Sequence, residues 1–554
     1  MKTIKFRNII TFFFYLIFFL LLLKNSLAYL DPDFGWHLKV GQEIALNKKV
    51  PTINHYNYVL PINENFWVDH EWLSDYLLFL AYDNWGYIFI NIFFALIIIL
   101  IFLILNNFIS KEIIKDPKSI YFLLIIETLG LKAMSPHFGV RIQAISLLFL
   151  SLLLIIIYYF EKKALTKKRQ YYQILFLLIP LLYLWANLHA GFLLGIFLLF
   201  LYLGVKIVER ILLYFQNKKI IKPLINFFNL ENTLNNKNIK IFLLFALLAS
   251  ASTTLTPYGL KLFDFLYSYG NTAYLKIISE WLPQYYWPFM YLQLLYIGLI
   301  LTGLIITLFF YKNYRNDELG KKLLTPWNIA LNILFIILAI KSKRHFPLLF
   351  VSSLPFIATF VYHDFKLLLN TKNNKKNKKI SVFIKCYLLI LFITVSTIIT
   401  ISIKIIKEPF NYFHEHYPRG ATDFLKENHE KYYLDNLFNS YNWGGYLIHE
   451  HPERKLFIDG RLPQKELNGH SYIEEYYTFY SEDQTKISEK IEKYDIKLFL
   501  LEKPKDIKLH WIDKKIFRLK EDDFKAKDNL VEYLNNNNFN IIYEDEISVI
   551  YYQE

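Results

Sequence analysis

The amino-acid sequence predicts a mostly α-helical, polytopic membrane protein that ends in an extracytoplasmic α/β domain. Hydrophobic residues make up 54% of the 554 residues, and aromatic residues make up 18%. Many of them fall in runs close to the roughly 18–20 apolar residues that are needed to cross a bilayer. After residue 407 the composition becomes polar, and short strand-like runs alternate with helical ones. We therefore expect a membrane domain over 1–407 and an α/β domain over 408–554.

The apolar runs predict about eleven spans. They lie at about 9–29, 75–107, 120–134, 142–160, 172–187, a sixth run that ends near Val208, 241–256, 288–311, 327–341, 346–362 and 380–405. Ser26-Leu27-Ala28 also fits a signal-peptidase site, and we favour an uncleaved first helix. Lysines concentrate in alternate loops, so the positive-inside rule places the N-terminus in the cytoplasm and the C-terminal domain outside. The basic turn 341–345 is the exception, because counting the predicted spans from the N-terminus places this turn outside.

Strand-like runs in the C-terminal domain lie at Lys455–Asp459, Ile496–Leu501, Ile541–Tyr543 and Ile547–Tyr552. Helical patterns lie between them, at about 419–429, 483–493 and 526–535. About 145 residues are enough to bury a core of their own.

The net charge of +14 comes mostly from the short loops between apolar runs, where it signals orientation in the membrane. Nucleic acid is therefore not an expected partner. Cys386 is the only cysteine, so the chain forms no internal disulfide.

Two aspartates begin the first outer loop, residues 31–75. Asp31 and Asp33 lie two residues apart, so they can share a divalent cation, or one of them can act as a general base. His37 is four residues after Asp33 and would lie on the same face of a helix. Asp31-Pro32 equally fits a helix N-cap followed by proline, so capping stays open beside catalysis.

The same loop ends in Trp67-Val68-Asp69-His70-Glu71-Trp72, where three ionisable side chains stand between indoles. Anchoring at the membrane interface explains the tryptophans. It does not explain Asp69, His70 and Glu71. Two acidic clusters in one loop therefore predict a shared site.

Further ionisable side chains fall at the predicted outer ends of the spans, namely Arg141, His189, Glu280, Arg344 and His345. Such groups are costly at membrane depth and tend to mark substrate paths. Snorkelling to the lipid headgroups is the alternative for each one alone. An arginine can hold a phosphate by bidentate hydrogen bonds. Carboxylates and arginines on one side of the membrane predict transfer from an anionic lipid.

Common nucleotide and hydrolase motifs are absent from the sequence. There is no Walker-type loop, GxGxxG, HExxH, CxxC pair or GxSxG. A reaction that uses ATP or a nucleotide-sugar inside the cell is therefore not expected.

Short motifs carry a resemblance along nearly the whole chain. They are Asp31-Pro-Asp-Phe-Gly-Trp-His-Leu, Trp67-Val-Asp-His-Glu-Trp-Leu, Arg141-Ile-Gln, Trp185-Ala-Asn-Leu-His-Ala-Gly, Thr256-Pro-Tyr-Gly, Ser279-Glu-Trp, Ser342-Lys-Arg-His-Phe-Pro, Tyr441-Asn-Trp-Gly-Gly-Tyr-Leu and Ile458-Asp-Gly-Arg. With them the chain resembles the GT-C superfamily of membrane glycosyltransferases, which use polyprenyl-phosphate-linked sugars. It is most similar to bacterial polytopic proteins of that architecture and distantly similar to oligosaccharyltransferase catalytic subunits.

The resemblance implies roles for the acidic residues. An acidic residue of the first outer loop serves the acceptor as base or metal ligand in that superfamily, which makes Asp33 the first candidate and Asp31 the second. Asp69 and Glu71 would form a second acidic motif. The metal would be Mg²⁺ or Mn²⁺, held by Asp31 and Asp33.

The resemblance also implies where substrates bind. Arg344 would contact the lipid phosphate. The remaining candidates for donor or substrate binding are His345, Arg141, His37, His70, His189 and Glu280. Gly444 stands where oligosaccharyltransferases carry an aspartate, which argues against recognition of an acceptor peptide. Asp459-Gly460-Arg461 equally fits a turn that closes a strand.

The expected function is transfer of a sugar from a polyprenyl-phosphate-linked donor to a glycan, lipid or protein outside the cytoplasm of a bacterium, at its inner membrane. The alternative is a transporter or flippase of a lipid-linked glycan, which would use the same charged cavity without chemistry. A transporter predicts inverted repeats and interrupted helices near the midplane, and the sequence shows no clear repeat. A role as a scaffold protein would not explain the two acidic clusters.

Overall fold

The structure is a computed structural model, and it describes residues 2–28, 31–60, 66–166, 171–228, 230, 233–271, 273–370, 416–467, 469–504, 507–524 and 528–554. The chain divides into two units. The first comprises Met1–Leu27, Trp85–Leu262 and Ile277–Phe410, and the second comprises Ala28–Asn84, Phe263–Lys276 and Asn411–Glu554. The first outer loop thus belongs to the same unit as the C-terminal segment. The compositional boundary near residue 408 lies outside the described residues and stays a prediction.

Most of the first unit is helical. The helices in this part of the chain are Lys2–Ala28, Trp72–Phe108, Ser119–Met134, Gln143–Leu165, Leu178–Leu188, Phe192–Tyr214, Ile221–Phe228, Asn236–Ser252, Tyr291–Phe309, Tyr311–Tyr314, Glu318–Leu323, Pro326–Lys341 and Phe346–Asn370. Helix Trp72–Phe108 begins in the second unit, and the short helices Lys261–Ser268 and Tyr274–Ile277 lie mostly in the second unit. Helices form here because a chain in hydrocarbon must satisfy its backbone hydrogen bonds internally.

Seven helices in the described part of the chain are long and apolar enough to cross a membrane. Two shorter apolar helices, Tyr172–Leu188 and Pro326–Lys341, lie at the predicted fifth and ninth spans. The predicted seventh span corresponds to the 17-residue helix Asn236–Ser252. The predicted last span, 380–405, lies outside the described residues. The mostly helical membrane class predicted from the sequence is confirmed.

A break interrupts the helix Trp72–Phe108. Gly86 has φ 74° and ψ 179°, a backbone conformation that residues with a side chain rarely adopt. The two units divide at almost the same place, between Asn84 and Trp85. The segment before the break therefore belongs with the first outer loop.

The second unit contains a four-stranded sheet in the order β1-β4-β6-β5. β1 pairs in parallel with β4, and β6 is antiparallel to both β4 and β5. The strands are β1 Asn436–Asn439, β4 Ile496–Glu502, β5 Asn540–Glu544 and β6 Ser548–Tyr552, and a small hairpin contains β2 Glu466–Leu467 and β3 His470–Ser471. Three of the four predicted strands are confirmed, and β1 was not predicted. β4 and β6 are the inner strands of the sheet, and both are almost wholly buried, as is the edge strand β1.

The predicted strand Lys455–Asp459 is wrong. Only Leu456 forms bridges, to Asn57 and Leu437. The backbone N–H of Phe457 donates instead to the side-chain Oδ1 of Asn439 at 3.0 Å. The side chain of a buried asparagine thus makes the hydrogen bond that a neighbouring strand would otherwise make. The apolar pattern of the sequence does not reveal this partner.

The remaining helices of the second unit surround the sheet or lie beside the first outer loop. They are Phe34–Asn47, Arg419–Glu427, His429–Tyr432, Gly444–Glu450, Tyr472–Tyr477, Gln484–Lys493, Trp511–Lys515 and Asn529–Asn536. Helices Phe34–Asn47 and Gly444–Glu450 approach each other closely, because a Cβ on Gly35 would lie 2.2 Å from the carbonyl oxygen of Gly445. Glycine at these two positions therefore allows the first outer loop to pack closely against the C-terminal segment.

Candidate active site

Asp31 and Asp33 differ in what their carboxylates do. Asp31 Oδ1 accepts a hydrogen bond from the backbone N–H of Asp33 at 2.9 Å. Asp33 stands at the N-cap position of helix Phe34–Asn47, yet its side chain makes no capping bond. Asp33 Oδ1 accepts instead from Trp36 Nε1 at 3.0 Å. Asp31 therefore stabilises the turn, while an indole orients the carboxylate of Asp33.

The segment Asp459-Gly460-Arg461 lies against Asp33. A Cβ on Gly460 would lie 2.4 Å from Asp33 Oδ1, so a larger residue here would displace the Asp33 carboxylate. The segment is a buried turn, as its residue types predict, but no strand precedes it. The turn therefore forms one wall beside the first candidate catalytic residue.

Arg461 is buried in an aromatic and polar environment. Its Nε and Nη2 donate to the two carboxylate oxygens of Asp459 at 2.9 and 2.7 Å. Its guanidinium lies 4.4 Å from the ring centre of Tyr56 and 4.8 Å from that of Trp67. Nη2 also donates to Asn54 Oδ1 at 2.9 Å. Burial alone would lower the pKa of Arg461, but the charge of Asp459 raises it above its usual value.

His37 meets Asp75 where two helices touch. A Cβ on Gly41 would lie 2.1 Å from the carbonyl oxygen of Asp75, so glycine allows the close approach. His37 is one helical turn before Gly41, on the same face. Its Nδ1 lies 2.6 Å from Asp75 Oδ1, and its Nε2 lies 3.7 Å from Glu71 Oε2. Because a carboxylate oxygen only accepts, Nδ1 donates to Asp75.

Asp69 and His70 flank this group. Asp69 is buried, and its Oδ1 accepts from the backbone N–H of Glu71 at 3.1 Å. Burial raises the pKa of Asp69 well above its usual range, and the negative charge of Asp75 raises it further. His70 Nε2 lies 3.7 Å from Glu71 Oε1. The predicted residues of the two acidic clusters thus lie within one unit.

Two important positions were not predicted as site residues. Asp75 was assigned to the start of the second span, although Glu71 and Asp75 are four residues apart and share a helix face. That spacing was an available signal. Arg461 was noted in the sequence only as part of the turn Asp459-Gly460-Arg461, because its further partners Asn54 and Asn57 are 407 and 404 residues away.

His37, Glu71 and Asp75 form the one group of metal-ligating residue types found among the described residues, with ligand atoms within 4.8 Å of one another. In the described part of the chain, Asp69 Oδ2 and Asp75 Oδ2 are buried without a donor group beside them. Such carboxylates are costly unless a proton shared between them or a cation balances the charge. The residue types of His37, Glu71 and Asp75 fit a divalent cation. Asp31 and Asp33, the ligands predicted from the sequence, are not in this group.

In the first unit, residues from separate predicted outer positions form an arginine cluster. We use this name for Arg141, Gln143, Glu280, Trp281 and Arg344. Arg141 Nη1 lies 2.7 Å from Glu280 Oε1, and Arg344 Nη1 lies 3.8 Å from Glu280 Oε2. The Arg344 guanidinium lies 4.8 Å from the ring centre of Trp281. With its amide oxygen facing Arg344, Gln143 accepts from Nε at 2.9 Å.

Backbone pairing holds this cluster together. The N–H of Arg344 donates to the carbonyl of Glu280 at 2.9 Å, and the N–H of Lys343 donates to the carbonyl of Leu282 at 3.1 Å. Burial alone would raise the pKa of Glu280, but the charges of Arg141 and Arg344 lower it to about 2. Glu280 thus stays ionised between the two arginines near neutral pH.

The two remaining predicted histidines have different surroundings. The ring of His345 lies 5.7 Å from that of Trp281, edge-on, so it borders the arginine cluster. His189 Nδ1 accepts from the backbone N–H of Gly191 at 2.8 Å and lies 2.8 Å from Ser146 Oγ. His189 therefore closes a turn between helices.

No family model matches the chain, and no curated protein matches it. Solved structures do match, among them three of the oligosaccharyltransferase of the archaeon Archaeoglobus fulgidus. The apo form is 11% identical over 88% of this chain and 69% of its own, with a TM-score of 0.52. The form tethered to an acceptor peptide is 12% identical over 88% and 68%, with a TM-score of 0.53. The complex with an inhibitory peptide and a dolichol-phosphate is 11% identical over 88% and 69%, with a TM-score of 0.52.

The chain therefore has the fold of the archaeal oligosaccharyltransferases, a helical membrane region followed by a C-terminal domain. The distant resemblance to oligosaccharyltransferase catalytic subunits is confirmed for the fold.

Proposed function

We propose that the chain is a membrane glycosyltransferase that moves a hexose or pentose from a polyprenyl-phosphate-linked donor to an extracytoplasmic glycan, lipid or protein. The observation that carries this proposal is the group of Asp33, His37, Asp69, Glu71 and Asp75 within one unit of an oligosaccharyltransferase-like fold. Buried carboxylates beside a histidine also occur in proton-coupled transporters. The likeness of the fold to an oligosaccharyltransferase therefore favours chemistry over transport.

Asp33 is the proposed general base. The acceptor hydroxyl attacks the anomeric carbon of the donor sugar, and the bond from that carbon to the phosphate oxygen breaks. Polyprenyl phosphate leaves with the electron pair, and the acceptor proton passes to the Asp33 carboxylate. The Trp36 indole, which donates to Asp33 Oδ1, holds this carboxylate in one orientation. Attack from the face opposite the leaving group inverts the anomeric centre.

Arg344 and Arg141 are the proposed contacts for the donor phosphate. Each carries a planar guanidinium that can bind phosphate oxygens bidentately. Stacking on Trp281 and the hydrogen bond to Gln143 hold Arg344 in place before the donor arrives. Glu280 neutralises one of the two positive charges, which leaves a net charge of one to attract an anionic lipid.

His37, Glu71 and Asp75 would hold the divalent cation. When bound there, the cation would supply positive charge that stabilises oxygen anions of the substrates. Two carboxylates fit Mn²⁺ or Mg²⁺, and the imidazole makes Mn²⁺ the better match. The hydrogen bond from Nδ1 to Asp75 presents Nε2 of His37 as the ligand atom.

The surroundings of Gly444 bear on the acceptor. A Cβ on Gly444 would lie 2.6 Å from the Cα of Asp459, so a side chain does not fit at the position where oligosaccharyltransferases carry an aspartate. This supports a glycan or lipid acceptor over a peptide. The positive-inside pattern and the resemblance to bacterial proteins support a bacterial inner membrane, with the acidic loop outside.

Sugar transfer in proteoliposomes tests the proposal. Wild-type protein, given a panel of polyprenyl-phosphate sugars and Mn²⁺, is expected to glycosylate an acceptor. Arg344→Gln is expected to raise KM for the donor by about 10–100-fold, because charge-assisted hydrogen bonds to the phosphate are lost. The rate is measured as a function of donor concentration for each variant.

Lys341→Gln is the matched control for Arg344→Gln. Lys341 is an exposed cation in the same basic turn. The KM of Lys341→Gln for the donor is therefore expected to stay at the wild-type value. Equal KM values for wild type and Arg344→Gln would exclude Arg344 as the phosphate contact. Movement of lipid-linked glycan across the bilayer, without transfer from any donor, would replace the proposal with a transporter.

Metal binding gives a second prediction. Asp75→Asn and Glu71→Gln are each expected to weaken Mn²⁺ binding at least about tenfold, because each removes a charged oxygen from the group around His37. Calorimetry on the purified protein measures the dissociation constant. Glu466→Gln removes an exposed carboxylate of the same unit and is expected to bind like wild type. Wild-type affinity in both site variants would place the metal elsewhere.

A further inference from the structure

A cavity of about 720 Å³ lies in the first unit, away from the residues discussed so far. Its walls come from helix Lys2–Ala28, helix Trp72–Phe108 with its continuation to Ile113, and the first turn of helix Ser119–Met134. The volume falls within the roughly 300–1,000 Å³ typical of small-molecule sites. It is therefore large enough for a substantial part of a lipid.

One end of the cavity is basic. Arg7 and Lys111 line this end together with Asn8, Asn107 and Ser110, and no carboxylate is among the described lining residues. By the positive-inside rule this is the predicted cytoplasmic end. Basic pockets between membrane helices on the cytoplasmic side bind anionic lipid headgroups. The charge of this end therefore favours a phosphate.

The other end of the cavity is apolar. Leu16 and Phe19 of the first helix face Leu96, Ile99 and Leu103 there. From Arg7 to Phe19 the helix rises about 18 Å, at about 1.5 Å per residue. This length is close to half of the roughly 30 Å hydrocarbon core. The cavity thus spans about half of the hydrocarbon core, and the part beyond Tyr15 holds the first carbons of an acyl chain.

A polar group lies on the wall between the two ends. The hydroxyl of Tyr15 donates to Glu127 Oε2 at 3.0 Å, and Asn106 Nδ2 donates to the same hydroxyl. Tyr15 and Asn106 line the cavity, and Glu127 is fully buried. In the described part of the chain, the buried Oδ1 of Asn106 has no hydrogen-bond partner. Because this oxygen only accepts, the wall suits a ligand that carries a bound water just below its phosphate, and the water would donate to Asn106 Oδ1.

We infer that the cavity between the first two long helices binds an anionic glycerophospholipid. Arg7 and Lys111 bind its phosphate, and a water donates both to Asn106 Oδ1 and to an ester oxygen of the lipid. The first part of one acyl chain fills the apolar end. A polyprenyl phosphate fits less well, because hydrocarbon follows directly after its phosphate and would lie against the polar wall. The inference does not depend on the proposed glycosyl transfer.

Native mass spectrometry of the detergent-purified full chain tests the inference. The protein is titrated with phosphatidylglycerol, phosphatidylcholine or polyprenyl phosphate of matched chain length. We expect phosphatidylglycerol to bind at least about tenfold more tightly than either of the other two lipids. Arg7→Gln combined with Lys111→Gln is expected to abolish that preference. Lys222→Gln combined with Lys237→Gln removes two basic residues of the same unit that do not line the cavity, and is expected to keep it.

A second pair of variants tests the apolar end. Leu103→Trp fills the cavity and is expected to reduce phosphatidylglycerol binding at least about tenfold. Leu100→Trp, at an equally exposed position of the same helix outside the cavity, is expected to have no effect. Equal affinity for phosphatidylglycerol and phosphatidylcholine would overturn the inference, because it indicates bulk lipid contact alone. Tighter binding of polyprenyl phosphate would overturn the choice of lipid.

Discussion

Replacing Asp33 by asparagine is expected to lower kcat for sugar transfer by about 10²–10⁴-fold, with a much smaller change in KM. Asparagine keeps the size of the side chain, and its oxygen can still accept from Trp36 Nε1. It cannot take up the acceptor proton. The loss therefore falls on the chemical step, and steady-state rates at saturating donor and acceptor measure it.

Asp31→Asn is the matched control. Asp31 lies two residues away, but its Oδ1 accepts from the backbone N–H of Asp33, a hydrogen bond that an asparagine oxygen also makes. Its kcat is expected to stay within about threefold of wild type. A large loss in Asp31→Asn with none in Asp33→Asn would exchange the two assignments. Full activity in Asp33→Ala would move the base to another residue.

Replacing Arg461 by leucine is expected to destabilise the second unit by about 3–5 kcal/mol. The substitution leaves the carboxylate of Asp459 buried without its cation. It also removes the guanidinium from between Tyr56 and Trp67. Thermal unfolding of the full chain in detergent, followed by tryptophan fluorescence, is expected to show a Tm about 10 °C lower.

Two control variants separate lost packing from unpaired charge. Arg461→Leu combined with Asp459→Leu removes both charges and is expected to recover most of the lost Tm, because no buried charge is left alone. Arg419→Leu removes an exposed arginine of the same unit and is expected to change stability by about 0.5 kcal/mol or less. A wild-type Tm in Arg461→Leu would show that the buried pair does not stabilise this unit.

The helical class and much of the α/β segment follow from local patterns. Apolar runs in the first 370 residues form helices whatever they pack against, because hydrocarbon leaves no other partner for the backbone. β4 is rich in leucine, and β6 is rich in β-branched and aromatic residues; both were predicted at nearly their final bounds. The run 455–459 has the same composition but is not a strand, because the Asn439 side chain occupies the backbone donor of Phe457.

The candidate residues were also found locally, since ionisable groups beside apolar runs stand out in any sequence. This signal is present at Asp33, Asp69, Glu71, Arg141, Glu280 and Arg344. The sequence does not show which residues these side chains contact. Arg141 and Glu280 are 139 residues apart. Glu280 and Arg344 meet because the residues from 280 to 284 pair through the backbone with the residues from 340 to 344.

The sequence by itself determined that this chain enters a membrane, which segments are helical, and which side chains are too polar to lie in hydrocarbon without a function. Only the tertiary structure decided that Asp75 completes a group with His37 and Glu71, and that Arg461 is enclosed beside Asp33. The physical reason is that hydrophobicity and helix periodicity act over a few neighbouring residues. Contacts such as Gly41 with Asp75, or Gly460 with Asp33, depend instead on how closely distant backbones can approach.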